Sequence, residues 1–286
     1  MLGKSLELGE LFKELRQARG LRLKDIAKEN LSVSQLSKFE NGQTMLAADK
    51  LLLAIEGIHM SFSEFGYALT QYQESNFFKT GKKLVELQSQ NNVVGLKELL
   101  ENYSNDEVYE TYNRLNKLVI KVVISTLDPS YQIKDEEKEF LTSYLYEIEE
   151  WTEYELYLFG NTMVVLSDED LVFLGKAFVE RDKLYRSLAS HKRNAELVLL
   201  NLILTLVERR KFYHANFFIE DLEKLLTYQD MFAIVFMNFL KQVIDYLTGK
   251  QDNLKTIEET IATVEKLGNP ILAHFLKTNL EEILQK

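Results

Sequence analysis

The 286-residue sequence has no cysteine, only two prolines and twelve glycines. Without cysteine there can be no disulfide, no thiolate nucleophile and no thiolate-bound zinc, and such a composition suits a reducing cytoplasm. The scarcity of proline and glycine favours helices, as does the abundance of leucine, glutamate and lysine. The sequence has no long uncharged apolar run and no signal-peptide pattern at its N-terminus. We therefore expect a cytoplasmic protein with no membrane segment.

The sequence also lacks the signatures of catalysis and of metal binding. The four histidines lie far apart, and none has a histidine or carboxylate partner at metal-ligand spacing. There is no GxxxxGKS/T, no GxSxG and no dinucleotide fingerprint. We expect no enzyme, no metal and no cofactor. An enzyme with a hidden helical active site is a weaker alternative, because no cluster of titratable groups lies at helical spacing on an apolar face.

Charge is distributed unevenly along the chain. Residues 1–66 hold nine basic and nine acidic side chains, and the remainder carries the whole net charge of −10. Between Leu11 and Phe39, seven basic side chains accompany three acidic ones. Such a positive segment on an acidic protein can attract DNA phosphates, while the acidic remainder limits non-specific adsorption. A solvated helix face of mixed charge is the alternative.

Apolar spacing predicts five short helices in the first 67 residues, with a tight turn between the second and the third. We expect Gly20 and Gly42 to end helices and Ser32 to cap the third helix. The fourth helix is predicted over about 48–56 and the fifth from Ser61. The residues predicted to face the core are Leu8, Leu11, Phe12, Leu15, Leu23, Ile26, Ala27, Val33, Leu36, Phe39, Leu51, Leu52, Ile55, Phe62 and Phe65.

This arrangement predicts a helix-turn-helix domain that binds promoter DNA. The third helix has polar side chains on one side, which a helix needs in the major groove but not for packing alone. The side chains predicted to contact phosphates or base edges are Arg16, Arg19, Arg22, Lys24, Ser34, Gln35, Ser37, Lys38 and Asn41.

Residues 7–66 resemble the lambda-repressor-like (XRE-type) DNA-binding domains. The resemblance rests on the ordered motifs "LFKELRQARGL", "DIA", "SVSQLSKFENG" and "KLLLAI". In one departure from the family, Lys24 opens the second helix where glutamine or a small polar residue is frequent. A lysine there favours a phosphate contact over adenine readout, so the DNA sequence that is recognised does not carry over from the family.

From residue 72 to 286, long helical patterns alternate with short polar breaks, and pairs of helices recur about every 35–40 residues. This is the scale of tetratricopeptide-type arrays, although their signature residues are degenerate here. The predicted fold is therefore all-α, with an N-terminal five-helix lambda-repressor-like domain and a right-handed, tetratricopeptide-like helical array. A concave array of this kind binds a peptide or a protein. An intracellular helical-repeat adaptor, in which the first domain serves only for packing, is the alternative function.

Nearly the full length resembles the Rgg/RopB/MutR group of transcriptional regulators, within the class of peptide-pheromone receptors. The most specific stretches are "SQLSKFENG", "EEWTEYELYLFGN" and "EKLGNPILAHFLK". The resemblance implies a homodimer that acts in quorum sensing and whose repeat domain binds a short signalling peptide. Some members have a cysteine that links the two subunits. Ala48 matches that position, so the expected dimer is non-covalent.

Candidate peptide-binding residues follow from the resemblance and from polar residues in apolar helices. Asn161 matches a family position associated with the peptide pocket, and Val164 stands where some members have an arginine that would bind a carboxylate. Asn can pair with both the amide and the carbonyl of an extended peptide. A hydrogen bond within the core is the alternative for each Asn. The other candidates are Arg181, Arg186, Asn201 and Asn238.

Several aromatic and aliphatic residues are predicted to pack rather than to bind a ligand. The phenylalanines expected in the core are Phe217, Phe218, Phe232, Phe236 and Phe239. The last helix offers an apolar stripe that would either form the dimer interface or cap the array. Its residues are Ile271, Leu272, Phe275, Leu276 and Leu280.

Overall fold

A computed structural model describes the chain over residues 3–70, 76–103, 109–181 and 187–285. These residues form helices, with one isolated bridge between Lys28 and Leu31, so the predicted all-α class is confirmed. The chain divides into two compact units, Met1–Lys83 and Leu84–Lys286. This division falls within a helix, and the boundary proposed between 67 and 72 stays a prediction.

The first unit contains the five predicted helices. They are α1 (Gly3–Ala18), α2 (Leu23–Ile26), α3 (Val33–Glu40), α4 (Ala48–Gly57) and α5 (Phe62–Leu69), and α6 (Asn76–Ser89) follows. Helix α2 is shorter than expected because Lys28 and Leu31 pair through their backbones, each N–H donating to the other's carbonyl at 3.0 Å. This pairing ends α2 and makes the turn into α3.

Two glycines explain how α1 ends and how closely it packs against α3. Gly20 follows the C-terminus of α1 with φ +67°, a left-handed conformation that glycine adopts without strain. Gly9 lies on α1 where α1 meets α3, and a Cβ at this position would stand 2.0 Å from the carbonyl oxygen of Phe39. The absence of a side chain at Gly9 therefore permits the close contact between the two helices.

The core of the first unit matches most of the predicted positions. Phe12, Ile26, Leu36, Phe39, Ile55 and Phe65 are buried. Three predictions of burial are wrong, because Val33, Leu52 and Phe62 are exposed. Each helical residue turns the side chain by about 100°. Leu52 therefore points away from the face that carries Leu51 and Ile55, while Val33 and Phe62 lie in first turns, beyond the residues that anchor α3 and α5.

The second unit is an array of longer helices. They are α7 (Val93–Glu101), α8 (Glu110–Leu127), α9 (Asp135–Glu147), α10 (Glu153–Thr162), α11 (Asp168–Arg181), α12 (Ala189–Glu208), α13 (Phe212–Leu225), α14 (Met231–Leu247), α15 (Lys255–Lys266) and α16 (Pro270–Gln285). The even-numbered helices from α8 to α16 begin about 36 to 43 residues apart, close to the predicted repeat length.

Helices α8, α10, α12 and α14 pack side by side in that order, and we refer to them as the central layer. The odd-numbered helices α7, α11, α13 and α15 pack against members of this layer. Trp151 anchors one part of the core, since its ring stacks on Phe178 and meets the edge of Phe159 with centroids 5.7 and 5.3 Å away.

The phenylalanine predictions are partly confirmed. Phe218, Phe236 and Phe239 are buried as expected. Phe217 and Phe232 are more than one-third exposed, which contradicts their assignment to the core. Each lies one position from a helix face that packs inward, so its ring turns toward the surface. Among the described residues, none of the helices has the length and hydropathy to cross a bilayer.

Candidate functional site

The N-terminus of α3 is fixed by a reciprocal cap, as predicted for Ser32. The Ser32 hydroxyl oxygen accepts a hydrogen bond from the Gln35 N–H at 3.2 Å, and Gln35 Oε1 accepts from the Ser32 N–H at 3.1 Å. These bonds satisfy backbone donors that the first helical turn leaves unpaired. They also engage the Gln35 amide oxygen. A bidentate contact with adenine uses both amide atoms of glutamine and therefore competes with this cap.

One side of α3 presents polar side chains to solvent. Ser34 and Lys38 are exposed and lie one turn apart, and Ser37 is partly exposed. Within the described residues, Lys38 forms no ion pair, so its ammonium group is available to an anion. Asn41 is exposed after the helix, and its Nδ2 donates to the Ser37 carbonyl at 2.8 Å. This surface has the donors that a DNA groove requires, although its contact with DNA is a prediction.

Arg16 is buried between α1 and α3. Its Nε and Nη2 donate to the two carboxylate oxygens of Glu40 at 2.6 and 2.7 Å, and its Nη1 donates to the Leu21 carbonyl at 2.6 Å. The side chains of Arg16 and Glu40 are only 9% and 4% exposed. The hydrogen bonds with Glu40 raise the pKa of Arg16. Its guanidinium is thus occupied in joining α1 to α3, so its contacts do not support the expected phosphate contact.

The remaining basic candidates lie at the C-terminus of α1 and the start of α2. Arg19, Arg22 and Lys24 are all exposed. Arg19 Nη1 donates to the Leu15 carbonyl at 2.9 Å, which turns its side chain back along α1. Charges at such positions can bind phosphates without reading sequence. Their role in DNA binding stays a prediction.

The three asparagines proposed to bind peptide lie on consecutive members of the central layer. Asn161 is on α10, Asn201 on α12 and Asn238 on α14. Asn201 and Asn238 are exposed although buried apolar residues flank both of them, so neither is a hydrogen-bonding group of the core. Asn161 is partly exposed, and its Nδ2 donates to the Tyr157 carbonyl one turn earlier at 2.7 Å.

The arginine proposed to replace the cation missing at Val164 has a structural role instead. Arg181 Nη1 lies 2.6 Å from the carbonyl of Ile148 and 3.2–3.3 Å from those of Leu145 and Tyr146. These bonds satisfy the C-terminal end of α9, so the use of Arg181 for a ligand carboxylate is not supported by its contacts. Val164 itself is exposed. Arg186 lies outside the described residues.

Arg209 was not identified from the sequence, yet it fixes the backbone that follows Asn161. Its Nη2 donates to the carbonyls of Met163 and Val164 at 3.2 and 3.0 Å, and its Nη1 donates to the Leu166 carbonyl at 2.8 Å.

Asp168 accepts from Arg209 at 3.1 Å and pairs with Lys211 at 2.7 Å. Hydrogen bonds from Lys211 and Arg209 lower the pKa of Asp168. No local pattern reveals this contact, because 46 positions separate Arg209 from Met163.

These features define a class of protein, in which a helix-turn-helix unit is followed by an array of antiparallel helix pairs. The family model described as "HTH-type transcriptional regulator Rgg, C-terminal domain" matches residues 97–278, and a helix-turn-helix domain model matches residues 7–59. The chain therefore belongs to the Rgg family of HTH-type transcriptional regulators. The predicted family is confirmed, and it is one of regulators rather than of enzymes.

Solved structures have the same fold over nearly the whole chain. The pheromone receptor Rgg2 of Streptococcus dysgalactiae is 22% identical, with a TM-score of 0.78, and the match covers 96% of this chain and 99% of that one. A bacterial peptide pheromone–receptor complex is 17% identical, with a TM-score of 0.69 and coverage of 98% and 99%. The PrgX/cCF10 complex is 16% identical, with a TM-score of 0.65 and coverage of 98% and 93%.

Proposed function

We propose that this regulator is a cytoplasmic homodimer that binds promoter DNA through α3 and is controlled by a short signalling peptide, as in quorum sensing. Control by a peptide is supported best by the position of Asn161, Asn201 and Asn238 on three adjacent helices of the central layer. The similarity to pheromone receptors agrees with it. An apolar peptide is favoured, because residues 67–286 carry the net charge of −10 and repel an acidic one.

The DNA-binding part rests on the polar, exposed side of α3. Lys38 supplies a cation, and Ser34 and Ser37 supply hydroxyl groups that can donate or accept. The cap by Ser32 fixes the start of this helix, so its polar side has a defined orientation within the unit. Domains of this kind read two half-sites about one DNA turn apart, which two copies of the chain would supply.

Substitutions in α3 can separate DNA contact from folding. In Gln35→Glu, the new carboxylate still accepts from the Ser32 N–H but places a negative charge beside the exposed side of α3. Selection from a pool of random 30-base-pair duplexes should enrich a common motif with the wild type and none with this variant. Lys38→Gln should weaken all duplexes and flatten the salt dependence by about one ion. Lys266→Gln makes the same charge change on α15 and should have no effect.

The DNA part would be refuted if Gln35→Glu, folded normally by circular dichroism, enriched the same motif as the wild type. It would also be refuted if the wild type enriched no motif at all. The adaptor alternative predicts this last outcome, because its first unit serves only for packing.

The peptide part rests on asparagines that the core does not use. An extended peptide has unpaired amides and carbonyls, which an exposed Asn can satisfy in pairs. Asn161→Ala and Asn201→Ala should each weaken binding of apolar eight-residue peptides by about 1–3 kcal/mol, the value of a lost buried hydrogen-bonding partner. Isothermal titration of the full chain measures this change.

Asn102→Ala is a matched control for Asn161→Ala. Asn102 Nδ2 also donates to a carbonyl one turn earlier, that of Glu98 at 2.9 Å, but it ends α7 outside the central layer. Its removal should leave peptide affinity unchanged. Equal affinities for the wild type and both central-layer variants would contradict the proposed site.

The homodimer rests on exposed apolar side chains of α16. Ile271 is 83% exposed, and Phe275 is also exposed, whereas Leu276 and Leu280 pack inward. We expect Ile271→Lys to shift the full chain from dimer to monomer by light scattering at micromolar concentration. Val94→Lys changes an exposed valine of α7 and should leave the dimer intact. A wild-type monomer, with and without DNA, would contradict the proposed assembly.

A further inference from the structure

An open cavity of about 540 Å³ lies between the first turns of α12 and α14. Its apolar lining includes three side chains that are unusually exposed: Leu197 at 40%, Met231 at 57% and Phe232 at 42%. Exposed apolar side chains gathered around one cavity are typical of a binding site. Phe232 was expected in the core, and this cavity accounts for its exposure.

Arg193 brings a cation to the same cavity. It is exposed on α12, and within the described residues it forms no ion pair and no side-chain hydrogen bond. The guanidinium group presents paired N–H donors that match the two oxygens of a carboxylate. Arg193 therefore has the chemistry that Arg181 cannot provide, because the side chain of Arg181 is engaged with the carbonyl groups of α9.

The acidic residues of the cavity do not occupy Arg193. Lys192 Nζ lies 2.6 Å from Asp230 Oδ2 and 2.8 Å from Glu196 Oε1, so both carboxylates are paired with the neighbouring lysine. Asp230 also accepts from the N–H and the hydroxyl group of Thr227 at 2.7 and 2.8 Å. These contacts hold both carboxylates against Lys192 and Thr227, and within the described residues neither carboxylate pairs with the guanidinium of Arg193.

Arg193 is also in register with the proposed peptide site. Arg193, Leu197 and Asn201 follow one another at intervals of four residues, and all three are exposed along α12. Two helical turns of this kind place Arg193 and Asn201 about 12 Å apart. An extended peptide covers that distance with about four residues at roughly 3.3 Å each.

We propose that Arg193 binds the C-terminal carboxylate of the signalling peptide, while the peptide's last apolar side chains enter the cavity beside Leu197, Met231 and Phe232. This inference rests on the proposed peptide-receptor function and adds the direction of the peptide and its required terminus. In this orientation the C-terminus of the peptide lies at Arg193, and the preceding peptide backbone runs along α12 toward Asn201. The peptide needs only one negative charge, its terminal carboxylate, to bind Arg193. The rest of it can be apolar, as the net negative charge of the second unit favours.

The test uses a pool of synthetic eight-residue peptides of Leu, Ile, Val, Phe and Gly, prepared as free acids and as C-terminal carboxamides. The full-length protein selects binders, and titration calorimetry then compares both forms of the best peptide. The wild type should bind the acid about tenfold more tightly, as expected for one charge-assisted hydrogen-bonded pair. In Arg193→Gln, the acid should bind only as well as the carboxamide, whose affinity should not change.

Three further variants show which property of the site causes the preference for the free acid. Arg193→Lys keeps the charge without the paired donors and should retain part of the preference. Leu197→Ala should weaken both forms alike, and Lys266→Gln should change neither. If the wild type binds acid and carboxamide equally while Asn201→Ala still weakens both, the carboxylate subsite is refuted and the receptor function stands. If neither form of any peptide binds the wild type, both proposals fail.

Discussion

Among single side chains, Arg16 is expected to have a large effect on stability. Its buried pair with Glu40 has two short hydrogen bonds, so removal of one partner leaves the other charge buried and unpaired. Arg16→Met should therefore destabilise the first unit by about 3–5 kcal/mol. Denaturant unfolding of the full chain, monitored by circular dichroism, measures the shift in the unfolding transition of the first unit.

The double variant Arg16→Met, Glu40→Leu is the control for this prediction. It removes both charges and fills the space with apolar groups, so most of the lost stability should return. Arg19→Met changes an exposed arginine on the same helix and should have little effect. If Arg16→Met were as stable as the wild type and merely weakened DNA binding, the structural role of the pair would be wrong.

Asp230 makes a pH-dependent contribution to the stability of the second unit. Hydrogen bonds from Lys192 and Thr227 lower the pKa of Asp230 to about 2, below its ordinary value of 3.8. A carboxylate whose pKa is lowered by folding stabilises the folded state above its unfolded pKa and loses this effect as the pH falls. The contribution is therefore complete above about pH 5 and disappears between roughly pH 4 and 2.

Asp230→Asn should accordingly lower the stability by about 0.5–1 kcal/mol at neutral pH, the upper range for a solvent-accessible ion pair. The difference from the wild type should shrink as the pH falls from 4 toward 2. Thermal unfolding at a series of pH values measures this difference. Asp252→Asn, at an exposed position with no ion pair among the described residues, should show no such trend. A constant difference across the acid range would contradict the mechanism.

Among the helices, the contact of α1 with α3 depends on the missing side chain at Gly9. A Cβ there would overlap the Phe39 carbonyl, which belongs to the backbone and cannot rotate away. Gly9→Ala should therefore separate the helices, destabilise the first unit and abolish DNA binding. Gly66→Ala is the matched control, because a Cβ on α5 at that position meets no atom within 4 Å. It should stabilise α5 by about 0.5–1 kcal/mol through helix propensity. Thermal unfolding and DNA titration of both variants compare these effects.

The sequence predicts best those features that neighbouring residues determine. The Ser32 cap, the left-handed Gly20 and the five helices of the first unit follow from local spacing, and the structure agrees with each. The sequence did not reveal the structural contacts of Arg16 and Arg181, because their partners are 24 and 33 or more positions away and no local pattern identifies them. Val33 and Phe62 show the same limit for apolar residues, since spacing along one helix does not reveal where the packing partner ends.

In the molecule as a whole, DNA affinity and ligand binding are assigned to different units of one chain. The first 66 residues are neutral overall with a basic segment, while the rest carries the excess negative charge. A peptide bound in the second unit can change DNA affinity only if it prefers one arrangement of the protein to another. The linkage between the two sites is therefore a measurable free energy, for which about 1–3 kcal/mol is ordinary.

This linkage makes a reciprocal prediction. If a peptide changes DNA affinity by some factor, saturating DNA must change peptide affinity by the same factor, because both describe one thermodynamic cycle. A coupling of 1–3 kcal/mol corresponds to about 5- to 150-fold in either direction. Calorimetric titration of peptide into the free and the DNA-bound protein gives one factor, and DNA titration with and without peptide gives the other. Asn201→Ala should shift the peptide concentration needed without changing the DNA affinity of the peptide-free protein. Peptide binding that leaves DNA affinity unchanged would show that the two units act independently.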